Sequence, residues 1–203
     1  MAVDPTLTRT YAACMEQLKW RTDVVRSVAS GALAVPGSPD LAAELASLQL
    51  RKILELIAFG SLTANRDKYA GAYSNFASHW NAKRLLESLD RIHPHFYPRP
   101  IRLDRTDAAG IKHFEDIKEG YLTRENFVLL YDATSEVLHT RNPFRGGDPT
   151  IQFKHTLQEW VGQIQALLSM HYLQLVDSSD LWVVVMHDAR DGKVHVLPAA
   201  PRG

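Results

Sequence analysis

The chain has little of what usually announces a function. It contains 1 cysteine, Cys14. That excludes an intrachain disulfide and, inside a helical pattern, reads as a buried structural thiol in a reducing compartment. No charge of one sign dominates: Lys plus Arg and Asp plus Glu each total 23. There is thus no global field to attract nucleic acid or an anionic membrane, and any polyanion must be held by a local patch. No apolar run approaches the ~18 residues of a membrane span. The opening Met1-Ala-Val-Asp-Pro5 has neither the basic nor the apolar region of a secretory leader. These absences predict a cytoplasmic protein with no membrane partner. A glycine-rich phosphate loop, a Gly-x-Ser-x-Gly elbow and a zinc-protease helix are all missing. The 9 histidines form no ligand set. His93-Pro-His95 is an i, i+2 pair without a cysteine or acidic partner at metal spacing, so no metal and no other cofactor is expected.

What is present is an ordinary globular composition with strong helical punctuation. At 203 residues, 45% hydrophobic and 23% charged, the chain suits one domain, or one domain with a small appendage, around a sizeable core. Asp4-Pro5 opens a first helix over about 6–30, closed by Gly31. Pro39-Asp40 opens a second to about Ala64, apolar at Leu41, Leu45, Leu48, Ile53, Leu54, Ile57 and Leu62, and so broad a face suggests a central helix. A short helical piece over 66–77 and a third long helix over 78–92 follow. From His93 to Gly120 the period fails, apart from a short strand-like piece near Ile101 to Leu103. Thr123 caps a helix to about Arg141, Pro143 prevents its continuation, and Asp148-Pro149 opens a last one through Leu168. The β-rich runs 173–176, 181–186 and 193–197 close the chain. The expected architecture is mainly α: a bundle over 1–170 with an irregular insertion at 93–120, and a small C-terminal β-hairpin or three-stranded sheet over 171–203.

Two constellations carry chemistry. Tyr131, Ser135 and His139 are four residues apart and stack on one helical face, with Arg141 and Asn142 beside the free carbonyls of the helix end. Arg51 and Glu55 stand four apart inside the apolar second helix, where charges are costly unless paired. They are expected to meet Ser135, His139 or Asn142 across a groove between helices. Such a group is either a site or a hydrogen-bonded network that sets helix register. As a site, His139 takes a proton from a ribose hydroxyl while Arg51 or Arg141 stabilises phosphorane charge. The run from Arg91 to Arg105 interleaves Arg99 and Arg102 with His93, His95, Phe96 and Tyr97. That composition suits single-stranded nucleic acid, or else a connector laid over the bundle.

The Arg51-x-x-x-Glu55 helix together with Tyr131-x-x-x-Ser135-x-x-x-His139-x-Arg141-Asn142-Pro143-Phe144 resembles the HEPN-like helical family of bacterial defence, toxin–antitoxin and RNA-processing proteins, over roughly residues 5–170. The resemblance implies a four- to five-helix bundle, a homodimer, and binding or cleavage of RNA or nucleotides without metal. With the groove and the basic run read above, the catalytic candidates are His139, Arg141, Arg51 and Glu55, and the substrate-binding ones Tyr131, Ser135, Asn142, Arg99 and Arg102. The chain departs from the family's Arg-x(4–6)-His ribonuclease motif. The only match, Arg190 to His195, crosses a β-turn, and at the expected helix the order is reversed. The alternative is a non-catalytic dimerisation or interaction module that binds a cognate protein and uses the polar groove as a structural network.

Overall fold

The computed structural model describes residues 5–36, 39–72, 81–140 and 153–199. Helix α1 spans Pro5–Ala29 and α2 spans Pro39–Ala64, where the apolar spacing places them. Gly31, at φ 73°, ends α1, because only a residue without Cβ turns left-handed there at no cost. The two helices pack tightly at Gly60, where a Cβ would lie 2.9 Å from Cε2 of Tyr11. Helix α3 spans Arg66–Ala72 and α4 spans Ala82–Ile92, the latter capped by Asn81, whose side chain accepts from the Arg84 N–H at 3.1 Å. The expected residues 73–80 of these two pieces lie outside the described residues.

The expectation of an α-bundle with a small C-terminal β-element is corrected by the strands. β1 spans Arg99–Thr106, over the strand-like piece expected near Ile101 to Leu103, and β2 spans Lys112–Asp116, where an otherwise irregular stretch is expected. After α5, Arg124–Leu138, and α6, Leu157–Leu168, come β3, Met170–Gln174, β4, Leu181–Val185, and β5, His195–Ala199. All five form one antiparallel sheet in the order β2-β1-β3-β4-β5. The fold is α+β. The cause of the difference is visible in β1 and β2: beyond Ile101 nearly every residue of this hairpin is exposed, so no half-buried alternation is written into the sequence. A bulge between Leu103 and Arg105 breaks what period remains.

Two helix boundaries also move. α5 stops at Leu138, with His139 as its C-cap in extended geometry, three residues before the expected end. α6 does not begin at Pro149, because residues 153–156 are not helical. Its start is a capping box, in which the Thr156 hydroxyl accepts from the Glu159 N–H and the Glu159 carboxylate accepts from the Thr156 N–H.

The core lies between helices and sheet. α2 packs on α1, α4 and α5, while α1 also meets α6 and β5. His171 and Leu173 of β3 and Trp182 and Val184 of β4 alternate inward and are buried. Burial of such apolar side chains stabilises by about 2 kcal/mol each, so the sheet is part of the core. The buried imidazole of His171 donates from Nδ1 to the Leu168 carbonyl, 2.8 Å away. Its Nε2 therefore accepts from the Tyr11 hydroxyl at 2.6 Å, tying α1 to β3.

Candidate functional site

Residues from α2 and α5 meet as a closed polar network. Arg51 projects from α2 onto the Tyr131 to Ser135 turn of α5. Its guanidinium donates to the Tyr131 hydroxyl at 2.7 Å and to Ser135 Oγ. Its carbon lies 3.7 Å from the centre of the Tyr131 ring, and its Nε is 3.5 Å from Glu55 Oε1. Ser135 in turn donates to the Tyr131 carbonyl at 2.8 Å. The Ala82 N–H of α4 also donates to the Tyr131 hydroxyl, while burial pushes the phenol's pKa up against the opposing pull of Arg51. Lys52 occupies the other Glu55 oxygen at 3.0 Å. The Arg51 side chain is 17% exposed and that of Glu55 16%, so the cation is stacked, ion-paired and hydrogen-bonded with little surface left for a ligand.

Of the remaining candidates for this groove, His139 is exposed and is fixed by its backbone N–H to the Ser135 carbonyl at 3.1 Å. Its side chain makes no hydrogen bond to Arg51 among the described residues. Arg141 and Asn142 lie outside the described residues. Arg99 and Arg102 are elsewhere, on β1. Arg102 forms an ion pair with Glu115 across the hairpin.

Arg99 lines a second, open feature. A cleft of about 450 Å³ lies between the 94–100 segment, the end of β2 and the start of α5, and its lining includes His95, Arg99, Lys118, Tyr121, Arg124 and Glu125. Local chemistry positions each group. Three prolines, Pro94, Pro98 and Pro100, stiffen one wall. The Ile117 N–H donates to the Pro100 carbonyl at 2.9 Å, which closes the hairpin and carries Lys118 back beside Arg99. Thr123 caps α5, accepting from the Asn126 N–H at 3.2 Å, and so puts Arg124 and Glu125 in its first turn.

The charges in this cleft differ in how far they are compensated. Arg124 pairs with Asp90 at 2.8 Å, holding that carboxyl below its usual range. Glu125 accepts from its own N–H and from Thr123, which lowers its pKa. Lys118, at 84% exposure, reaches only 3.9 Å from Asp116. Arg99 has no carboxylate partner among the described residues. It donates to His95 Nδ1 at 2.6 Å and to the Tyr172 hydroxyl at 3.4 Å, neither of them a carboxylate, so they aim the guanidinium without an anion to cancel its charge. Sequence reasoning found His95 and Arg99 but missed Lys118, Tyr121 and Arg124, which join them only through the hairpin closure. The Thr123 cap was the one local signal for Arg124.

One cluster has metal-ligand chemistry. Ligand atoms of Asp188, Asp191 and His195 lie within 4.8 Å of one another. Their capacity is already used: Arg190 donates to both Asp188 oxygens at 2.8 and 3.1 Å, and His195 Nε2 bridges the Asp191 carboxylate at 3.1 Å. The same loop holds the Arg190 to His195 spacing of the ribonuclease motif, with Arg190 turned onto Asp188 and His195 onto Asp191. No protein-family model, curated protein or solved structure matches this chain. Among the described residues no helix is long and apolar enough to cross a membrane.

Proposed function

We propose that the chain is a binding protein for single-stranded RNA and that the cleft around Arg99 receives the strand. The observation that carries this reading is Arg99 itself, a guanidinium aimed by His95 and Tyr172, without a carboxylate, in an open cleft shared with Lys118 and Tyr121. Such a cation favours phosphate, and an aromatic side chain beside it offers a face on which any base can stack. The Arg51 network favours a structural role for the α2–α5 groove, since its guanidinium is stacked on Tyr131, engaged by Ser135 and Glu55 and little exposed to a developing phosphorane.

Fluorescence anisotropy with a labelled single-stranded oligoribonucleotide, titrated at several salt concentrations, tests the reading. Binding is expected to weaken as salt rises. The Arg99→Ala variant is expected to bind several-fold more weakly and to reduce the salt slope by about 1. Equal binding by wild type and by Arg99→Ala plus Lys118→Ala would exclude the cleft.

A further inference from the structure

The β1–β2 hairpin is built differently from the rest of the sheet. β1 pairs with β3 only at Arg99 and Pro100; from Ile101 onward its sole neighbour is β2. Beyond Ile101 the two strands form an arm, exposed except for the half-buried His113. A two-stranded ribbon alone in water is marginally stable, and this one carries apolar groups that solvent does not favour.

The register sorts the arm into two unlike faces. One holds Arg102 opposite Glu115 and Arg105 opposite His113. It is charged and partnered, through the Arg102–Glu115 ion pair and the His113–Asp107 hydrogen bond at 3.1 Å. On the other, Leu103 stands opposite Phe114, 45% and 39% exposed. Along β2 this second face reads Lys112 at the tip, Phe114 in the middle and Asp116 at the base. No ion pair engages Lys112 among the described residues, and Asp116 has only its loose 3.9 Å contact with Lys118.

That column is complementary to itself when turned end for end. A twofold axis crossing the arm at Phe114 sets Phe114 on Phe114 and Leu103 on Leu103 of a second copy. The same axis places each Lys112 against the other copy's Asp116, so the apolar centre and both charged ends are satisfied by one operation, as an isologous contact requires. We propose that the chain dimerises through this face of the hairpin arm, with a second copy as its occupant. The pairing sits on an arm outside the core, so its residues can be changed without emptying the core.

Sedimentation velocity across the micromolar range tests this. The wild-type chain is expected to show a concentration-dependent monomer–dimer equilibrium, and Phe114→Glu is expected to remain monomeric with an unchanged Tm. Lys112→Asp and Asp116→Lys are each expected to lose the dimer alone, to form a heterodimer when mixed, and to regain the homodimer when combined in one chain. A wild-type chain that stays monomeric throughout overturns the proposal. So does a dimer indifferent to Phe114→Glu, or a mixture of the two charge variants that fails to associate. If Phe114→Glu lowers Tm, the mixing result decides by itself.

Discussion

At the scale of single residues, the core holds a histidine that nothing in its sequence neighbourhood singles out. His171 is fully buried between the Leu168 carbonyl and the Tyr11 hydroxyl, and burial pushes its pKa down to about 4. The folded protein therefore holds a neutral imidazole, while the unfolded chain takes up a proton below about pH 6.5. Stability is full above that value and is lost as pH falls toward the folded-state pKa. The loss is up to about 3 kcal/mol if His171 acts alone. Urea unfolding at neutral pH and near pH 4.5 measures the decline, which His171→Gln should flatten at the expense of a lower starting stability. A single histidine in an alternating strand offers no sequence mark of such a role, since its partner Tyr11 lies 160 positions away. Gly60 is a similar case, set by the Tyr11 ring against it. Gly60→Ala should destabilise by about 1–3 kcal/mol through overpacking, read as a lowered Tm.

At the scale of elements, α2 and α5 are locked in register by Arg51. Replacing it with Ala takes one partner from each of the Tyr131 and Ser135 hydroxyls, lifts the cation off the Tyr131 ring and leaves Glu55 to Lys52 alone. The expected cost is about 2 kcal/mol in chemical denaturation. Lys at the same position should recover little, because an ammonium can neither lie flat on the Tyr131 ring nor bridge two hydroxyls as a planar fork does. The meeting of Arg51 with the Tyr131–Ser135 face was legible, because charged groups inside an apolar helix demand partners and an i, i+4 polar stripe offers them. The end of α5 was less so. Pro143 sets only the last residue the helix can reach, and the chain leaves helical geometry at His139. At α6 the signal that holds is the capping pair Thr156-x-x-Glu159, not the earlier Asp148-Pro149.

At the scale of the whole molecule, the sheet joins residues 99–116 to residues 170–199, and the inward side chains of β3 and β4 share the helices' core. A chain ended after Ser169 should lose its cooperative thermal transition, since Leu173, Trp182 and Val184 would leave α1 and α6 facing water; circular dichroism during heating checks this. Residue order alone places the helices α1, α2 and α5, their apolar faces and the strands after Met170, and fixes a balanced net charge, because periodicity and net charge are local or additive properties of the chain. Packing in three dimensions extends the strand-like piece near Ile101 into the 99–116 hairpin of the sheet, encloses Arg51 while leaving Arg99 open, and brings Lys118, Tyr121 and Arg124 into its cleft. Those outcomes depend on hydrogen bonds and packing between residues distant in the chain, and an exposed arm or a surface cation leaves no periodic trace of the partner it will meet.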